Sequence, residues 1–515
     1  MRPELLLCLL ALPAAADPRF QPVAVPEHVY GGGWEFFTGG GVAVFDCDGD
    51  ALPEIAAAGG ETPAMLLRNR GGMRFEAETP EALAVTRATG LYPLDIDGDG
   101  RTDLAVLRAG PDQLLKGGPD CSFVPFDDLG FGSGDHWSTA FSATWEPGRS
   151  LPTLAFGSYV DRADPDGPFE ACDANFLYRP EGGRYGPPLP LEPGFCALSM
   201  LFSDWGGGRA DLRVSNDRHY YVRGGQEQMW AMEETPRLYG PEDGWVPFQL
   251  WGMGIASRDL SGDGRPEVMM TSMGDQRLQE PVPGATGPAY VDVPFARGTT
   301  AHRPHAGADG RPSTGWHVEF GDIDNDGRDD LFIAKGNVDQ MPDMAMEDPN
   351  SLLRQQPDGT FREVSVAAGV ASPARSRGAA LADLDLDGRL DLVVSNRRAP
   401  LEVWRNVTEE SGHWLAVTLR QPAPNAAAVG AKIELRLADR TVTREVTVGG
   451  GHGGGQLGPQ HFGLGDAAQV QLRVLWPDGT ASPWQAAAAD AAVTVTHPGH
   501  APQAISGGDI PAPRP

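Results

Sequence analysis

The sequence predicts an all-β protein: a seven-bladed β-propeller with calcium-binding inter-strand loops, followed by a small C-terminal β-sandwich. Three observations carry this expectation. An acidic Asp/Gly loop recurs at intervals that fit one propeller blade. Short apolar strands flank each copy, and Gly (67) and Pro (46) are abundant in the 515 residues while helical periodicity is scarce. Beyond residue 412, five longer segments alternate apolar and polar residues, as half-buried strands do.

Residues 1–16 read as a signal peptide. Met1–Glu4 precede the apolar run Leu5–Pro13 and the small residues Ala14–Ala16, with cleavage expected before Asp17. The run is too short to span a bilayer. The mature chain is therefore expected to be secreted, periplasmic or on the cell surface. Cys8 leaves with the leader, and Cys47, Cys121, Cys172 and Cys196 remain. Cys172 and Cys196 share one Gly/Pro-rich segment and are expected to bridge in an oxidising compartment. Cys47 occupies a loop position held elsewhere by Ile96, Trp205, Leu260, Ile323 and Leu384, and is expected to be a small buried hydrophobe.

Four loops carry acids at positions 1, 3, 5 and 9, and a fifth differs only by Ser261 at position 3, a pattern that suits a hard cation with six to eight oxygen ligands. They are Asp46, Asp48, Asp50 and Glu54; Asp95, Asp97, Asp99 and Asp103; Asp259, Ser261, Asp263 and Glu267; Asp322, Asp324, Asp326 and Asp330; and Asp383, Asp385, Asp387 and Asp391. Position 7 would give its backbone carbonyl: Leu52, Arg101, Arg265, Arg328 or Arg389. About five calcium ions are expected, with the Ser261 loop the weakest. Two degraded copies fill the gap, at Trp145–Thr153 and Asp204–Asp211. With them the loops start at 46, 95, 145, 204, 259, 322 and 383.

Each loop follows one apolar strand, as in Gly41–Phe45 and Gly378–Ala382, and leads into a second, as in Leu104–Leu107. A third ends in a polar turn, as in Leu66–Asn69. A fourth begins with Phe, as in Arg74–Glu78 and Phe361–Val366. The last unit has only three strands before Asn406. Arg19–Val25 resembles the missing fourth, so the N-terminus is expected to complete the blade of residues 378–406 and close the ring. The propeller then spans 17–406, a linker 407–412, the sandwich 413–497 and a disordered tail 498–515. Strands are expected at 413–419, 431–437, 442–448, 470–476 and 492–496.

These residues carry a resemblance. The Asp-x-Asp-Gly-Asp-Gly-x-x-Asp loops resemble the FG-GAP/VCBS repeats of integrin-α-like propellers. Gly449–Gly451, His461-Phe-Gly-Leu-Gly465 and Val474–Gly479 resemble an ASPIC/UnbV domain. Together they are similar to a bacterial member of the CRTAC (cartilage acidic protein) family. The resemblance implies a binding or adhesion module, with one face and its long loops meeting a protein or glycan partner. The insertions at about 160–200 and 274–312 are the expected contact surfaces.

An EF-hand needs a bidentate Glu at position 12 and flanking helices. Ala57, Val106, Met270, Ile333 and Val394 stand there, each inside the following strand. The net charge of −29 argues against a nucleic-acid partner. It also argues for metal: the loops hold 19 carboxylates, and five calcium ions would bring the charge to −19. No catalytic constellation emerges. Ser133, Asp135 and His136 are neighbours in sequence, which is not triad geometry. His452 and His461, nine residues apart around a Gly-rich turn, could ligate a metal, but His461 reads rather as a structural turn residue. The alternative function is a calcium-dependent polysaccharide lyase or hydrolase on a propeller.

Overall fold

The computed structural model describes residues 17–164, 170–217, 225–438, 440–500 and 506–507. The expected signal peptide lies outside the described residues. The fold is all-β, as the sequence predicts. Among the described residues, seven four-stranded antiparallel units follow one another along the chain, and the degraded loops at 145 and 204 also join the first and second strands of units of their own. Their first strands are Val42–Phe45, Ala88–Leu94, Ser138–Thr144, Ala197–Asp204, Gly252–Arg258, Gly315–Gly321 and Ser376–Ala382. Each first strand packs on the next, and the last packs on Val42–Phe45, so the circuit closes. These strands are mostly buried, with runs such as Ala379, Ala380 and Leu381, because they converge on one axis.

The closing seam is made by the N-terminus. Phe20–Val23 pairs antiparallel with Glu402–Asn406, Phe20 opposite Asn406 and Val23 opposite Val403. Phe20 is buried against Val364, Ala368 and Trp404. Arg19 adds backbone bonds on both sides, its N–H donating to Thr408 Oγ1 at 3.1 Å and its carbonyl accepting from Val407. Some expected strands are shorter. Phe361–Glu363 ends where Ser365–Ala368 coils into a helical turn that Gly369 stops at φ +85°.

The C-terminal region is two four-stranded sheets. One orders Gln460–Gly465, His413–Arg420, Ala491–Thr496 and Ser506–Gly507; the other orders Thr441–Glu445, Lys432–Arg436, Gln469–Leu475 and Gln485–Ala488. Alternation places Leu415, Val417, Ile433, Leu435, Leu472 and Val474 between them. That core is continuous with Tyr92, Phe141 and Phe156 of units two and three. Two expectations are corrected here. The strand expected over 442–448 ends at Glu445, because the chain leaves the sandwich and enters the propeller. Part of the tail expected to be disordered is paired: Ser506–Gly507 adds to Ala491–Thr496.

Among the described residues two disulfides are present, Cys172–Cys196 as expected and Cys47–Cys121, which corrects the reading of Cys47 as an unpaired hydrophobe. Cys47–Cys121 ties the first loop to the outer end of unit two, with Cα atoms 4.9 Å apart across 74 residues of chain. Asn406, the acceptor of an Asn-Val-Thr glycosylation sequence, is buried and donates to the carbonyls of Ile323 and Leu390, so it is closed to modification. Deleting residues 17–26 should unzip the seam and lower the melting temperature by about 5 °C or more. Calorimetry on the truncated and full chains checks this.

Candidate functional site

The acidic loops all join the first and second strands of their units, so they share one face of the ring. Each is built by its own carboxylates. The position-1 acid folds the turn: Asp95 accepts the N–H groups of Asp99 and Gly100 at 3.1 and 3.0 Å, and Asp322 and Asp383 do the same in their loops. The position-9 acid staples the loop to the sheet. Asp103 accepts Ile96 N–H at 2.7 Å and, with its other oxygen, Gly117 N–H at the end of the third strand at 2.7 Å. Asp330 and Asp391 repeat this with Gln355 and Asn406. At position 7, Arg101, Arg265, Arg328, Arg389 and Leu52 donate their N–H groups to the position-5 acid, which leaves the carbonyl for a cation.

Four loops bring three carboxylates within 4.8 Å of one another: Asp46, Asp48 and Asp50; Asp95, Asp97 and Asp99; Asp322, Asp324 and Asp330; Asp383, Asp385 and Asp391. Units one and two thus gather positions 1, 3 and 5, while units six and seven gather 1, 3 and 9. Among the described residues, Asp259, Ser261, Asp263 and Glu267 form no such trio. The degraded loops do other work. Glu146 pairs with Arg149 and Arg179, and Asp204 pairs with Lys432 of the C-terminal sandwich at 2.9 Å.

The clusters are electrostatically loaded. Burial, and then the neighbouring acids, push Asp95 up to about 6 and Asp383 to about 7. Burial pushes Asp103 and Glu54 to about 7 and raises Asp322, Asp330 and Asp391 well above the usual carboxylate range. Each of the four loops also holds one basic side chain from its third strand against position 3: Arg68 on Asp48, Lys116 on Asp97, Arg354 on Asp324 at 2.6 Å and Arg405 on Asp385 at 2.7 Å. Asp324 Oδ1 and Asp385 Oδ1 are nonetheless buried without a hydrogen-bond partner. Orphaned carboxylate oxygens inside an oxygen-only donor set fit a hard cation.

The axis itself is filled. After Glu445 the chain dives between the first strands as Gly449-Gly-Gly-His-Gly-Gly-Gly455. Val448–Gly449 pairs with Ser142 and Ala143 and touches Leu201, which fuses units three and four into one nine-stranded sheet. Gly450 N–H then donates to Met200 O and Gly451 N–H to Ile255 O, each at 2.7 Å. Gly453 O accepts from Leu91 N–H at 2.9 Å, and Gln456–Leu457 runs parallel to Val44–Phe45. His452 sits at the tip, fully buried, its ring tilted at 59° to that of Trp316 with centroids 5.0 Å apart. Its Nε2 takes Gly39 N–H at 3.1 Å, and its backbone N–H donates to His317 Nδ1 at 3.1 Å. Burial and Arg377 push it down to about 3, so it is neutral. Glycine is required: a Cβ on Gly41 would overlap the Gly453 carbonyl, and one on Gly454 the Val42 carbonyl.

The sandwich settles on the loop face. Arg444 pairs with Asp329 at 2.6 Å, and Glu445 accepts Asp204 N–H at 3.0 Å. His461 lies in the strand Gln460–Gly465, not in a turn; its Nε2 meets Asn325 Oδ1 at 2.8 Å while its ring stacks on Trp414. A cavity of about 930 Å³ remains between the loops and the sandwich, lined by Asp46, Asp95, Arg258, Asp383, Arg420 and Lys432 among others. Ser133, Asp135 and His136 diverge: Ser133 Oγ accepts from Asp112 N–H, Asp135 pairs with Arg162, and His136 with Asp173.

Comparison with known proteins agrees with this two-part layout. The FG-GAP-like repeat profile matches residues 46–142 and 337–394, and the ASPIC and UnbV profile matches 421–502. The chain carries FG-GAP repeats and an ASPIC and UnbV domain. It is similar to cartilage acidic protein 1 of Mus musculus (25% identity over 482 residues, covering 85% of this chain and 70% of that protein) and of Homo sapiens (26% over 487 residues, 85% and 69%). Among solved structures it is similar to the WD40 domain of Toxoplasma gondii coronin (TM-score 0.40, 11% identity, 77% of this chain and 88% of that one). It is also similar to an Agrocybe aegerita lectin (0.39, 13%, 72% and 94%) and to rhamnogalacturonan lyase YesW (0.38, 13%, 75% and 75%). Likenesses this loose carry no argument about activity.

Sequence reasoning did not reach the third-strand cations, Asn325, or the part played by Gly449–Gly455. The signal for the last was six glycines around one His inside a strand-rich domain, more than a sandwich edge needs. Gly454→Ala should cost about 3 kcal/mol or more in urea unfolding, because backbone lies where the methyl would go. Gly49→Ala, with open space around it but φ +84°, should cost about 1 kcal/mol.

Proposed function

We propose that this chain is an exported calcium-binding propeller that serves as a binding or adhesion module for an extracellular protein or glycan. The observation that carries this reading is the filled axis. Where the first strands converge, the space is taken by Gly449–Gly455 and His452, so the centre is structural and recognition falls to the periphery. The insertion at 274–312 offers Phe295, 80% exposed, and Val291, 45% exposed. The insertion at 160–200 is held by Cys172–Cys196. Two disulfides also favour an oxidising, exported setting. No helix among the described residues is long and apolar enough to cross a membrane.

In this reading the trios at Asp46, Asp95, Asp322 and Asp383 each hold one calcium ion, and the Asp259 loop holds one more weakly. The ion supplies positive charge that lets buried acids ionise together. The side chains orient the turn, and Arg68, Lys116, Arg354 and Arg405 compete with the ion for position 3. The lyase or hydrolase alternative requires converging acids in an open pocket. Probing a glycan array with and without chelator, and then assaying for new reducing or unsaturated ends, separates the two. Binding without cleavage is the expected result; cleavage would overturn the module reading.

Calcium and pH should act together. Without the cation, Asp95, Asp103 and Asp383 sit near 6, 7 and 7 in the fold against an ordinary 3.8, so the fold holds more protons than the unfolded chain in that window. The melting temperature in chelator should therefore fall as pH rises from about 4 to about 7. In millimolar calcium the fall should vanish or reverse, because the ion binds the ionised acids. Calorimetry across pH in both buffers checks this.

A further inference from the structure

We propose that the cation site of the sixth unit is a sealed compartment whose lid is the ASPIC/UnbV domain, so that its ion exchanges only when that domain lifts. This rests on the calcium reading of the loops and adds a division among them. Burial of the loops is graded. In unit one Asp48 and Asp50 are exposed, and in unit two Asp99 is. In unit six Asp322, Asp324, Asn325 and Asp330 are all buried, and Asp324 Oδ1 is left without a hydrogen-bond partner inside the cluster.

The C-terminal chain makes the burial. Gly412 N–H donates to Asp324 O at 2.9 Å, and Gly465 N–H to Asn325 O at 2.8 Å. His461 holds Asn325 Oδ1, while Asn325 Nδ2 donates to Gly388 O of the seventh loop at 2.9 Å. Arg440 donates to Gly327 O, and Arg444 pairs with Asp329. Gly463 lies directly on the cage: a Cβ there would overlap Asp322 Oδ2. The glycine of His461-Phe-Gly-Leu-Gly465 thus lets the strand close over the carboxylates. That strand lies over the buried side of the loop, at Asp322, Asp324 and Asp330, while Asp326 and Arg328 at its rim are half-buried. Ions in units one and two face solvent.

The full-length protein tests this with Tb³⁺. Trp414, whose indole packs against Gly388, sits beside the sixth and seventh loops and can sensitise the emission. Titration first establishes that Tb³⁺ binds and that Ca²⁺ displaces it; no binding would overturn the calcium reading itself. Mixing the loaded protein with excess chelator should then give fast phases and one slow phase. Gly463→Ala should speed the slow phase by about tenfold or more, since lid mutations act chiefly on release. Arg444→Met removes the lid's ion pair with Asp329 while leaving every carboxylate of the cage in place, and should do the same if Gly463→Ala folds poorly. Release in fast phases only from the unmodified chain, or a slow phase unchanged in Arg444→Met, would overturn the sealed compartment.

Discussion

The structure depends on backbone meeting backbone at the propeller axis. Residues 448–457 enter the ring as an extra strand with almost no side chains and bond in turn to units three, four, five, two and one. The tip residue His452 reaches unit six through His317. An unpaired backbone group at this depth is costly, so the ring and the inserted segment satisfy one another. The propeller and the sandwich are therefore one packing unit, with a core that runs from Phe141 and Phe156 into Val417 and Val474.

That arrangement sorts the surfaces. The sandwich covers the loop face over unit six, so the acids there lie inside the molecule, while Asp48, Asp50 and Asp99 of units one and two stay exposed. At the other end of the first strands, Trp34–Phe37 folds over Trp137 and Tyr159, and Phe37 O accepts Arg377 Nε. Both ends of the axis are closed. Besides the cavity between the loops and the sandwich, what is left for the proposed partner is the circumference, where the insertions and the exposed Phe295 lie. The acidic cages, the most conspicuous chemistry in the sequence, then serve as scaffold and as the floor for the second domain.

Much of this was legible because repeats write their geometry into spacing. The loop period, the strand after position 9 and the missing fourth strand at Arg19–Val25 follow from alternation and ring closure alone. The degraded loops at 145 and 204 were legible as units even without their acids. What sequence did not show is long-range contact. Cys47 looked like one more apolar residue because its position is apolar in the other loops. Its partner Cys121 lies in a different unit, and only the packed ring brings the two together. The strand expected through Val448 failed for the same reason: alternation continues past Glu445, but the partner strands change from sandwich to propeller. His461 was read as a turn residue because glycines flank it, whereas those glycines make room for Asp322 and Asn325.

Hydrogen exchange across residues 448–457 of the intact protein tests the central claim most directly. The amides of Gly450 and Gly451 donate to Met200 and Ile255 inside the ring, so they should exchange as slowly as the first strands themselves. Rapid exchange, at the rate of an exposed glycine-rich loop, would contradict the account and free the axis for another ligand.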